Sequence, residues 1–424
     1  MGIPSPVASR APAVIPAIIT PKPTSSKVIT NFQSGHGWTA TAGATGTLND
    51  TSQYVRGTQC ISMLTKGAGV QASVRNTAIT SFSAANCQLR ITMKLTNVAN
   101  LQTLSVYAGD TGLANYYLWT LQSATATPEV NYFQEGEWIT MTMDWHSATS
   151  SGSPNRTAIT CMQISAYDNS TGQLVGVAVQ SVELVVDQSA AFPNGVISIT
   201  FDDSWDSPYT LGKQELDRYG YPATVYHIWD LLDTSGRATT AQIKNAEDNC
   251  GWENGAHAAT LADHAAWFTT MSVGALEEDF RRQHEAAASK GIRLDGLAYP
   301  NGAHNAAIVA LLKKYFSYGR TIVPKIRETP LPGNPFKLRA SSSISAYAGG
   351  VPVATLTTAS TGYIDLTKAN KSWLILVFHK ITAGAAASTS ECAQADLATI
   401  LAAINTAGVP VMTVRDVLRK AAAL

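Results

Sequence analysis

The chain of 424 residues is poor in cysteine and has no long apolar stretch. Its five cysteines are scattered and none is spaced as Cys-x-x-Cys. This argues against a disulfide scaffold and favours free thiols, although one bridge in the N-terminal part stays open. No run of 18 apolar residues occurs, so no membrane-spanning helix is predicted. Lys plus Arg and Asp plus Glu both number 30, so no net charge favours nucleic acid or an anionic membrane as partner.

The first 27 residues lack the basic start and the continuous apolar segment of a signal peptide, because prolines interrupt them throughout. Residues 1–27 instead predict an extended Pro/Ala-rich arm or linker. Charged residues are distributed unevenly along the chain: residues 1–190 hold nine acidic and nine basic residues, whereas residues 191–424 hold 21 of each. The shift predicts one domain over 28–190 and a second over 191–424.

Residues 28–190 consist of short alternating runs separated by Gly, Asn, Ser and Asp, such as QLRITMKL (88–95) and EWITMTMDW (137–145). Many short strands without helical periodicity predict an antiparallel β-sandwich of jelly-roll type. Such a domain commonly binds glycans or mediates assembly. Four aromatic side chains could stack on sugars but are better explained by core packing: Trp38, Tyr117, Trp119 and Trp138.

After residue 195, apolar runs alternate with helical patterns. VISITF (196–201) is typical of a buried strand, and SVGALEEDFRRQHEAAASKG (272–291) of an amphipathic helix that ends at a glycine. Strands that alternate with helices over this length predict a parallel sheet closed into a distorted (β/α) barrel. In such barrels the chemistry lies at the carboxyl ends of the strands.

Ionisable side chains gather at these predicted strand ends. Asp202 and Asp203 follow the strand 196–201, and His257 and His264 follow the third strand of this domain. Two adjacent carboxylates repel each other and are costly to bury unless a cation neutralises them. Asp203, His257 and His264 would offer a divalent metal ion three ligands and leave one position open for a water, whose pKa then falls to near 7.

Three further roles follow from this placement. Asp202 would take the proton of that water as general base, and His379, at the end of LILVFH (374–379), would protonate the leaving group. We expect Arg339 to keep Asp202 ionised by a charge-assisted hydrogen bond. A carboxylate, a metal site and an imidazole suit hydrolysis of an unactivated amide or ester.

Four motifs occur in the order typical of one enzyme family: TFDDSW (200–205), GAH (255–257), AYPNG (298–302) and LVFHKI (376–381). In these motifs residues 195–420 resemble the polysaccharide deacetylases of carbohydrate esterase family four. The resemblance implies a distorted (β/α) barrel and metal-dependent removal of acetyl groups from a glycan. It assigns Asp202 as catalytic base, Asp203 and His257 as metal ligands, and His379 as general acid.

The resemblance also implies a substrate groove, with Tyr299 and Asn301 near the position of the oxyanion, where a backbone N–H would help. The expected groove residues are Trp205, Tyr299, Pro300, Asn301 and Gly302. The groove arginine that the family carries before the proline is Ala298 in this chain, and Arg339 is the expected substitute.

The second metal-binding histidine departs from the family pattern. It usually follows the first at i+4, where this chain has Leu261, and the next histidine is His264 at i+7. On a straight helix, residues i and i+7 lie about 10 Å apart along the axis, too far to share one ion. His264 can therefore bind the metal only if residues 258–263 loop out, and His304 is the alternative ligand.

The sequence thus predicts a metal-dependent deacetylase that removes N- or O-linked acetyl groups from a polysaccharide. Zn²⁺ is the expected metal, and Co²⁺, Mn²⁺ or Ni²⁺ also suit an Asp/His site. The expected partner is an acetylated polysaccharide, not a nucleic acid or a membrane, in an extracellular or virion-associated location such as a phage tail. Two alternatives stay open: a non-catalytic glycan-binding or attachment protein with a degenerate metal site, and an amide hydrolase of the related allantoinase type.

Overall fold

The computed structural model describes residues 25–41, 43–125, 127–145, 147–186, 190–323 and 327–423. The arm predicted over residues 1–27 lies almost entirely outside them. The strands are β1 (Ser25–Thr30), β2 (Thr39–Ala40), β3 (Ile61–Leu64), β4 (Ala72–Asn76), β5 (Cys87–Thr96), β6 (Leu101–Gly109), β7 (Tyr116–Ser123), β8 (Trp138–Met143), β9 (Thr149–Ser151), β10 (Cys161–Asp168), β11 (Gly176–Val186), β12 (Val196–Phe201), β13 (Thr224–Ile228), β14 (Glu253–Ala258), β15 (Leu297–Ala298), β16 (Gly319–Arg320), β17 (Trp373–Phe378), β18 (Lys380–Thr382) and β19 (Glu391–Ala393). The α-helices are α1 (Lys213–Asp217), α2 (Thr240–Cys250), α3 (Leu261–Ala266), α4 (Val273–Ser289), α5 (Ala306–Tyr315), α6 (Val353–Thr357), α7 (Tyr363–Asn370), α8 (Gln394–Ala407) and α9 (Val414–Ala422).

The strands up to β11 form two antiparallel sheets. One has the order β1-β11-β5-β8 with β3 also paired to β11, and the other has the order β2-β4-β10-β6-β7-β9. Alternate side chains of both sheets enter one core, which contains Ile91 of β5 and Val106 and Ile164 of the second sheet. Trp119 and Trp38 are buried in this core, as predicted, with 0% and 3% of their surface exposed.

The strands from β12 to β17 form a parallel sheet in the order β16-β15-β14-β13-β12-β17. Its two edge strands are connected through one segment, because Leu338 is bridged to Arg320 of β16 and Ser341 to Leu376 of β17. The sheet therefore curls back on itself. Every residue of β12 is buried, which explains the uninterrupted apolar and β-branched run VISITF.

Local signals place the helices around this sheet. The α2 helix begins at a capping box between Thr239 and Gln242 and ends at Gly251, whose φ of 67° favours glycine. Pro208–Gly212 forms a π-helical turn that continues as α1. No helix in the described part of the chain is both long and apolar enough to cross a bilayer.

Buried polar contacts join the antiparallel sheets to the parallel one. The ammonium of Lys337, with none of the residue exposed, donates to Tyr132 O at 3.2 Å and pairs with Glu137. Arg339 Nη2 donates to Thr142 O of β8 at 2.8 Å. Cys60, Cys161, Cys250 and Cys392 are free cysteines, as predicted.

Candidate active site

The carboxyl ends of the parallel strands bring the predicted catalytic residues to one edge of the sheet. Asp202 and Asp203 follow β12, His257 lies near the end of β14, and His379 follows β17. Strand β12 pairs with β13 and β17, and β13 pairs with β14, so these four side chains come from neighbouring strands.

Asp202 is buried and tied to its surroundings through both backbone and side chain. Only 3% of it is exposed, and its N–H donates to Phe378 O at 3.0 Å. Its carboxylate accepts from Nη2 of Arg320, with a distance of 2.7 Å to Oδ1. Arg320 is fully buried in turn, so the ion pair is shielded from water.

The predicted contact between Arg339 and Asp202 was wrong. Arg339 donates from its backbone N and from Nε to Glu328 Oε2, each at 3.1 Å, and its Nη2 reaches Thr142 O. The reason is strand alternation: Leu338 is bridged to Arg320, and the next side chain along an extended segment points to the opposite face. Arg339 therefore faces β8, and Arg320 occupies the place expected for it.

Sequence reasoning missed Arg320 because its strand β16 is only two residues long. The available signal was a charged residue in the otherwise apolar and aromatic segment FSYGRTIV. The guanidinium of Arg320 also lies 5.0 Å from the ring centroid of Tyr226, a cation–π distance. A side chain at Gly255 would clash with the Tyr226 ring. The glycine of the GAH motif therefore leaves room for this ring, which packs against Arg320.

Asp203, His257 and His264 form a compact triangle of possible ligand atoms. Asp203 Oδ1 lies 3.5 Å from His257 Nε2 and 3.6 Å from His264 Nε2, and the two imidazole nitrogens are 3.1 Å apart. In a tetrahedral zinc site with bonds of about 2.0–2.2 Å, ligand atoms lie roughly 3.3–3.6 Å apart. The three side chains therefore fit a divalent metal ion without rearrangement.

His264 reaches His257 because the two do not share a helix. His257 is in β14, which ends at Ala258, and α3 begins only at Leu261, capped by the side chain of Thr260. Ala259 and Thr260 break the chain between the strand and the helix, and metal binding by His264 requires such a break. Leu261, at the family's usual ligand position, is 46% exposed. The alternative ligand His304 lies elsewhere, stacked on Tyr299 with ring centroids 5.2 Å apart.

The lone pairs of Asp203, His257 and His264 point at one another, and too few protons lie between them for every one to accept a hydrogen bond. His257 Nδ1 lies 2.8 Å from Ala298 O, to which it must donate, so Nε2 is left to face Asp203 and His264. Asp203 Oδ1 is buried and accepts no hydrogen bond from the described residues. Such an orphaned carboxylate oxygen beside two imidazole nitrogens is expected where a cation binds.

Electrostatics at the triangle agree with this interpretation. Burial would raise the pKa of Asp203, but the nearby imidazoles of His257, His379 and His264 outweigh it and hold the pKa well below its usual range. Burial and the neighbouring His257 lower the pKa of His264 to about 4. Asp203 and His264 are therefore in the protonation states that metal ligation requires. Burial would lower the pKa of His257, but the carboxylates of Asp203 and Asp202 outweigh it and raise that pKa, so a bound cation would displace a proton from His257.

His379 and Trp205 flank the triangle. His379 is half-buried, is close enough to influence the pKa values of Asp203 and His264, and has a buried Nδ1 without a hydrogen-bond partner among the described residues. Trp205 is half-buried, and the guanidinium of Arg237 lies 3.7 Å from the centroid of its ring. Arg237 Nη1 also donates to Asp203 O at 2.6 Å, so this arginine links the Trp205 ring to the backbone of the triangle.

The AYPNG segment contributes less exposed surface than expected. Tyr299 lies in the interior, where its hydroxyl donates to Phe336 O at 2.9 Å and its N–H to Arg320 O at 3.1 Å. Neither group is free to contact a substrate, so the expected placement of Tyr299 in the groove was wrong. Pro300 and Gly302 are buried, and Asn301 is exposed with a φ of 53°.

A family comparison agrees with this site. Residues 189–316 match the family model described as polysaccharide deacetylase. This segment is therefore part of a hydrolase domain that acts on acetyl groups. Residues 189–316 therefore belong to a polysaccharide deacetylase domain, as the sequence motifs indicated. No curated protein sequence matches the chain significantly.

Several solved structures are similar to part of the chain at low identity. The Xyl-CE4 domain of a multidomain xylanase from the hindgut metagenome of Trinervitermes trinervoides is 19% identical over 54% of this chain and 91% of that chain, with a TM-score of 0.38. A family 4 acetyl xylan esterase from Clostridium thermocellum, in complex with a cobalt ion, is 15% identical over 52% and 89%, with a TM-score of 0.35. A pseudoenzyme of the same family from Bacillus anthracis is 14% identical over 54% and 67%, also with a TM-score of 0.35.

Proposed function

We propose that the protein is a metal-dependent deacetylase that removes N- or O-linked acetyl groups from a polysaccharide. The observation that carries this proposal is the triangle of Asp203 Oδ1, His257 Nε2 and His264 Nε2, with sides of 3.1–3.6 Å. Asp202 is next to Asp203 in the chain, and its buried ion-pair partner Arg320 belongs to the same parallel sheet.

Asp203, His257 and His264 would hold the metal ion. Zn²⁺ suits two imidazoles and one carboxylate best, and Co²⁺, Mn²⁺ or Ni²⁺ suit the same donors. When bound, the ion would supply Lewis acidity that lowers the pKa of a coordinated water to near 7. The hydrogen bond from His257 Nδ1 to Ala298 O fixes the ring so that Nε2 is presented to the ion.

The remaining residues would handle protons. Nη2 of Arg320 donates to both carboxylate oxygens of Asp202, which would orient the carboxylate to accept a proton from the attacking water. His379 would donate a proton to the leaving nitrogen of an acetamide or the leaving oxygen of an acetyl ester. Trp205 and Asn301 are the predicted groove residues that remain accessible to a sugar.

The non-catalytic alternative depended on the metal site being broken at Leu261. The position of His264, 3.1 Å from His257, instead supports a complete set of three ligands. We further propose that residues 191–424 form the (β/α) barrel and that residues 28–190 form a jelly-roll-like sandwich for binding or attachment. An extracellular or virion-associated location, such as a phage tail, would suit an enzyme that acts on surface glycans.

Acetate release from a panel of acetylated glycans tests the proposal. The panel contains chitooligosaccharides, peptidoglycan, acetylated xylan and bacterial capsules, with chain that is metal-free or reloaded with Zn²⁺ or Co²⁺. The proposal predicts acetate only from reloaded chain, and none from Asp203→Asn treated in the same way. Silence across the panel, with one metal ion bound per chain, would contradict a deacetylase and support a binding protein.

A further inference from the structure

The backbone is strained at the aspartate that would bind the metal ion. Asp203 and Ser204 have φ angles of 73° and 59°, which lie in the left-handed region although neither residue is glycine. In this region the Cβ of an L-residue crowds its own backbone, so two such residues in succession cost free energy. Backbone of this kind persists only when the surrounding structure holds it in place.

The turn at these two residues determines where the Asp203 carboxylate lies. Its Oδ1 is 3.5 Å from His257 Nε2 and 3.6 Å from His264 Nε2. A displacement of about 0.5 Å is enough to degrade a site whose ligands need a fixed geometry. Relaxation of the turn toward ordinary backbone angles would therefore weaken metal binding, even with all three ligands present.

Arg237 and Ala238, which lie between β13 and α2, hold this turn through backbone contacts. Ala238 N donates to Ser204 O at 2.8 Å, and Arg237 forms an isolated antiparallel bridge with Trp205. These contacts fix the chain from Ser204 onward. The carbonyl of Asp203, one residue earlier, is held by a side chain instead.

That side chain is Arg237, which contacts the turn at two points. Its Nη1 donates to Asp203 O at 2.6 Å, and its guanidinium lies 3.7 Å from the centroid of the Trp205 ring. The ring thus restrains the guanidinium, and the guanidinium restrains the peptide that follows Asp203. Among the described residues no carboxylate lies within 4.0 Å of the Arg237 guanidinium, so an ion pair does not explain its position.

We propose that Arg237 is a positioning residue that holds Asp203 in the conformation that binds a metal ion, an inference that rests on the proposed metal-dependent function. Electrostatics alone disfavours an arginine at this place, because a positive group beside a cation site repels the cation. Its geometry favours one, because a planar group can stack on a ring and donate to a carbonyl at the same time. Removal of the side chain therefore has opposite effects on metal affinity under the two descriptions.

Calorimetric titration of the metal-free full chain with Zn²⁺ distinguishes them. Arg237→Ala should bind Zn²⁺ about 10- to 100-fold more weakly than wild type. Arg237→Lys keeps the charge but not the planar stacked group, so it should recover only part of the loss. Arg156→Ala is the matched control, because Arg156 also lies over an indole, 4.7 Å from the Trp145 ring centroid, and donates to Ala84 O at 2.9 Å, outside the parallel sheet. This control should bind Zn²⁺ as wild type does.

Urea unfolding of the metal-free proteins identifies the variants that are folded, and Arg237→Gln, which removes the charge with a smaller change of shape, replaces Arg237→Ala if the latter is not. A folded, uncharged variant at position 237 that binds Zn²⁺ as tightly as wild type, or more tightly, would overturn the inference. So would an equal loss of affinity in Arg156→Ala, or wild type that binds no Zn²⁺. Zn²⁺ binding that depends on Arg237, in a chain that releases no acetate, would leave this inference intact and count against the proposed activity alone.

Discussion

Arg320 and Asp202 lie 118 residues apart in the chain and form a buried ion pair, with 2.7 Å between Nη2 and Oδ1. Arg320 belongs to the edge strand β16, and Asp202 follows β12 near the other edge of the sheet. Strand β14, which carries His257, lies between them, two strands from β16. The pair therefore links the candidate catalytic base to the far edge of the parallel sheet. Several expectations for the protein follow from this contact and from the triangle beside it.

Substitution of Arg320 should impair catalysis more than substrate binding. Arg320→Lys keeps a positive charge but replaces the rigid guanidinium, whose Nη2 donates to both oxygens of Asp202, by a shorter and more flexible ammonium. Asp202 should then be less well oriented, and kcat should fall by about 10- to 100-fold with little change in KM. Arg320→Met leaves Asp202 buried without a partner, and should cost about 3–5 kcal/mol in the free energy of unfolding. Steady-state acetate release and urea unfolding measure the two effects. An unchanged kcat in Arg320→Lys would show that the pair serves stability alone.

Arg339 should behave in the opposite way. Arg339→Ala leaves Glu328, which is 1% exposed, without its ion-pair partner, so the free energy of unfolding should fall by about 3–5 kcal/mol. The kcat of the molecules that remain folded should not change, because Arg339 does not contact Asp202. A folded Arg339→Ala variant with the low kcat of Arg320→Lys would instead restore the role expected from the sequence.

His264 should be required for metal binding although its spacing is unusual. His264→Ala removes one of three ligand atoms and should weaken Zn²⁺ binding on the order of 100-fold or more. His264→Ala/Leu261→His restores the common i+4 spacing but not the site, because Leu261 is exposed and its N–H is held 3.0 Å from Asp230 Oδ1. Calorimetric titration with Zn²⁺ distinguishes the variants. Recovery of wild-type affinity in the double variant would contradict the position given to residue 261.

The folded state should lose stability as the pH rises toward 7, in part through Asp279. Burial raises the pKa of this carboxyl to about 7, and the neighbouring Asp263 adds to the effect. Because the folded-state pKa lies above the unfolded value, the protonated form stabilises the fold at acidic pH, and this contribution is lost as the pH rises from about 4 to 7. The full effect is on the order of 3 to 4 kcal/mol.

Asp279→Asn is a matched control for that pH dependence, since the amide resembles the protonated acid and can still accept the hydrogen bond from Ala259 N. Free energies of unfolding measured at pH 4.5 and 7.5 should differ less in the variant than in wild type. Equal differences in both proteins would show that Asp279 is ionised in the fold throughout this range.

The order of the motifs along the chain was sufficient to predict the type of sheet and the edge at which the chemistry lies. Runs such as VISITF and LILVF are long and apolar, and the acidic and histidine residues follow them directly, so their clustering at the strand ends follows from parallel pairing. The break between His257 and His264 was also expected from their i+7 spacing, because a straight helix would hold the two residues too far apart to share one ion.

The partner of Asp202 was not predictable in the same way. Strand β16 has two residues, which is too short for any periodicity, and the choice between Arg320 and Arg339 depends on which face of an extended segment each side chain occupies. The interior position of Tyr299 depends on its contact with Phe336 O, a tertiary hydrogen bond that no local pattern indicates.

The most direct test of the account compares acetate release and metal content in wild type, Asp202→Asn and Asp203→Asn after reloading with Zn²⁺. Asp202→Asn should bind one ion as wild type does but lose about 10²- to 10⁴-fold in kcat, because only the proton acceptor is removed. Asp203→Asn should lose both the ion and the activity. An Asp202→Asn variant that binds the metal and releases acetate at the wild-type rate would contradict the division between base and ligand on which the mechanism rests.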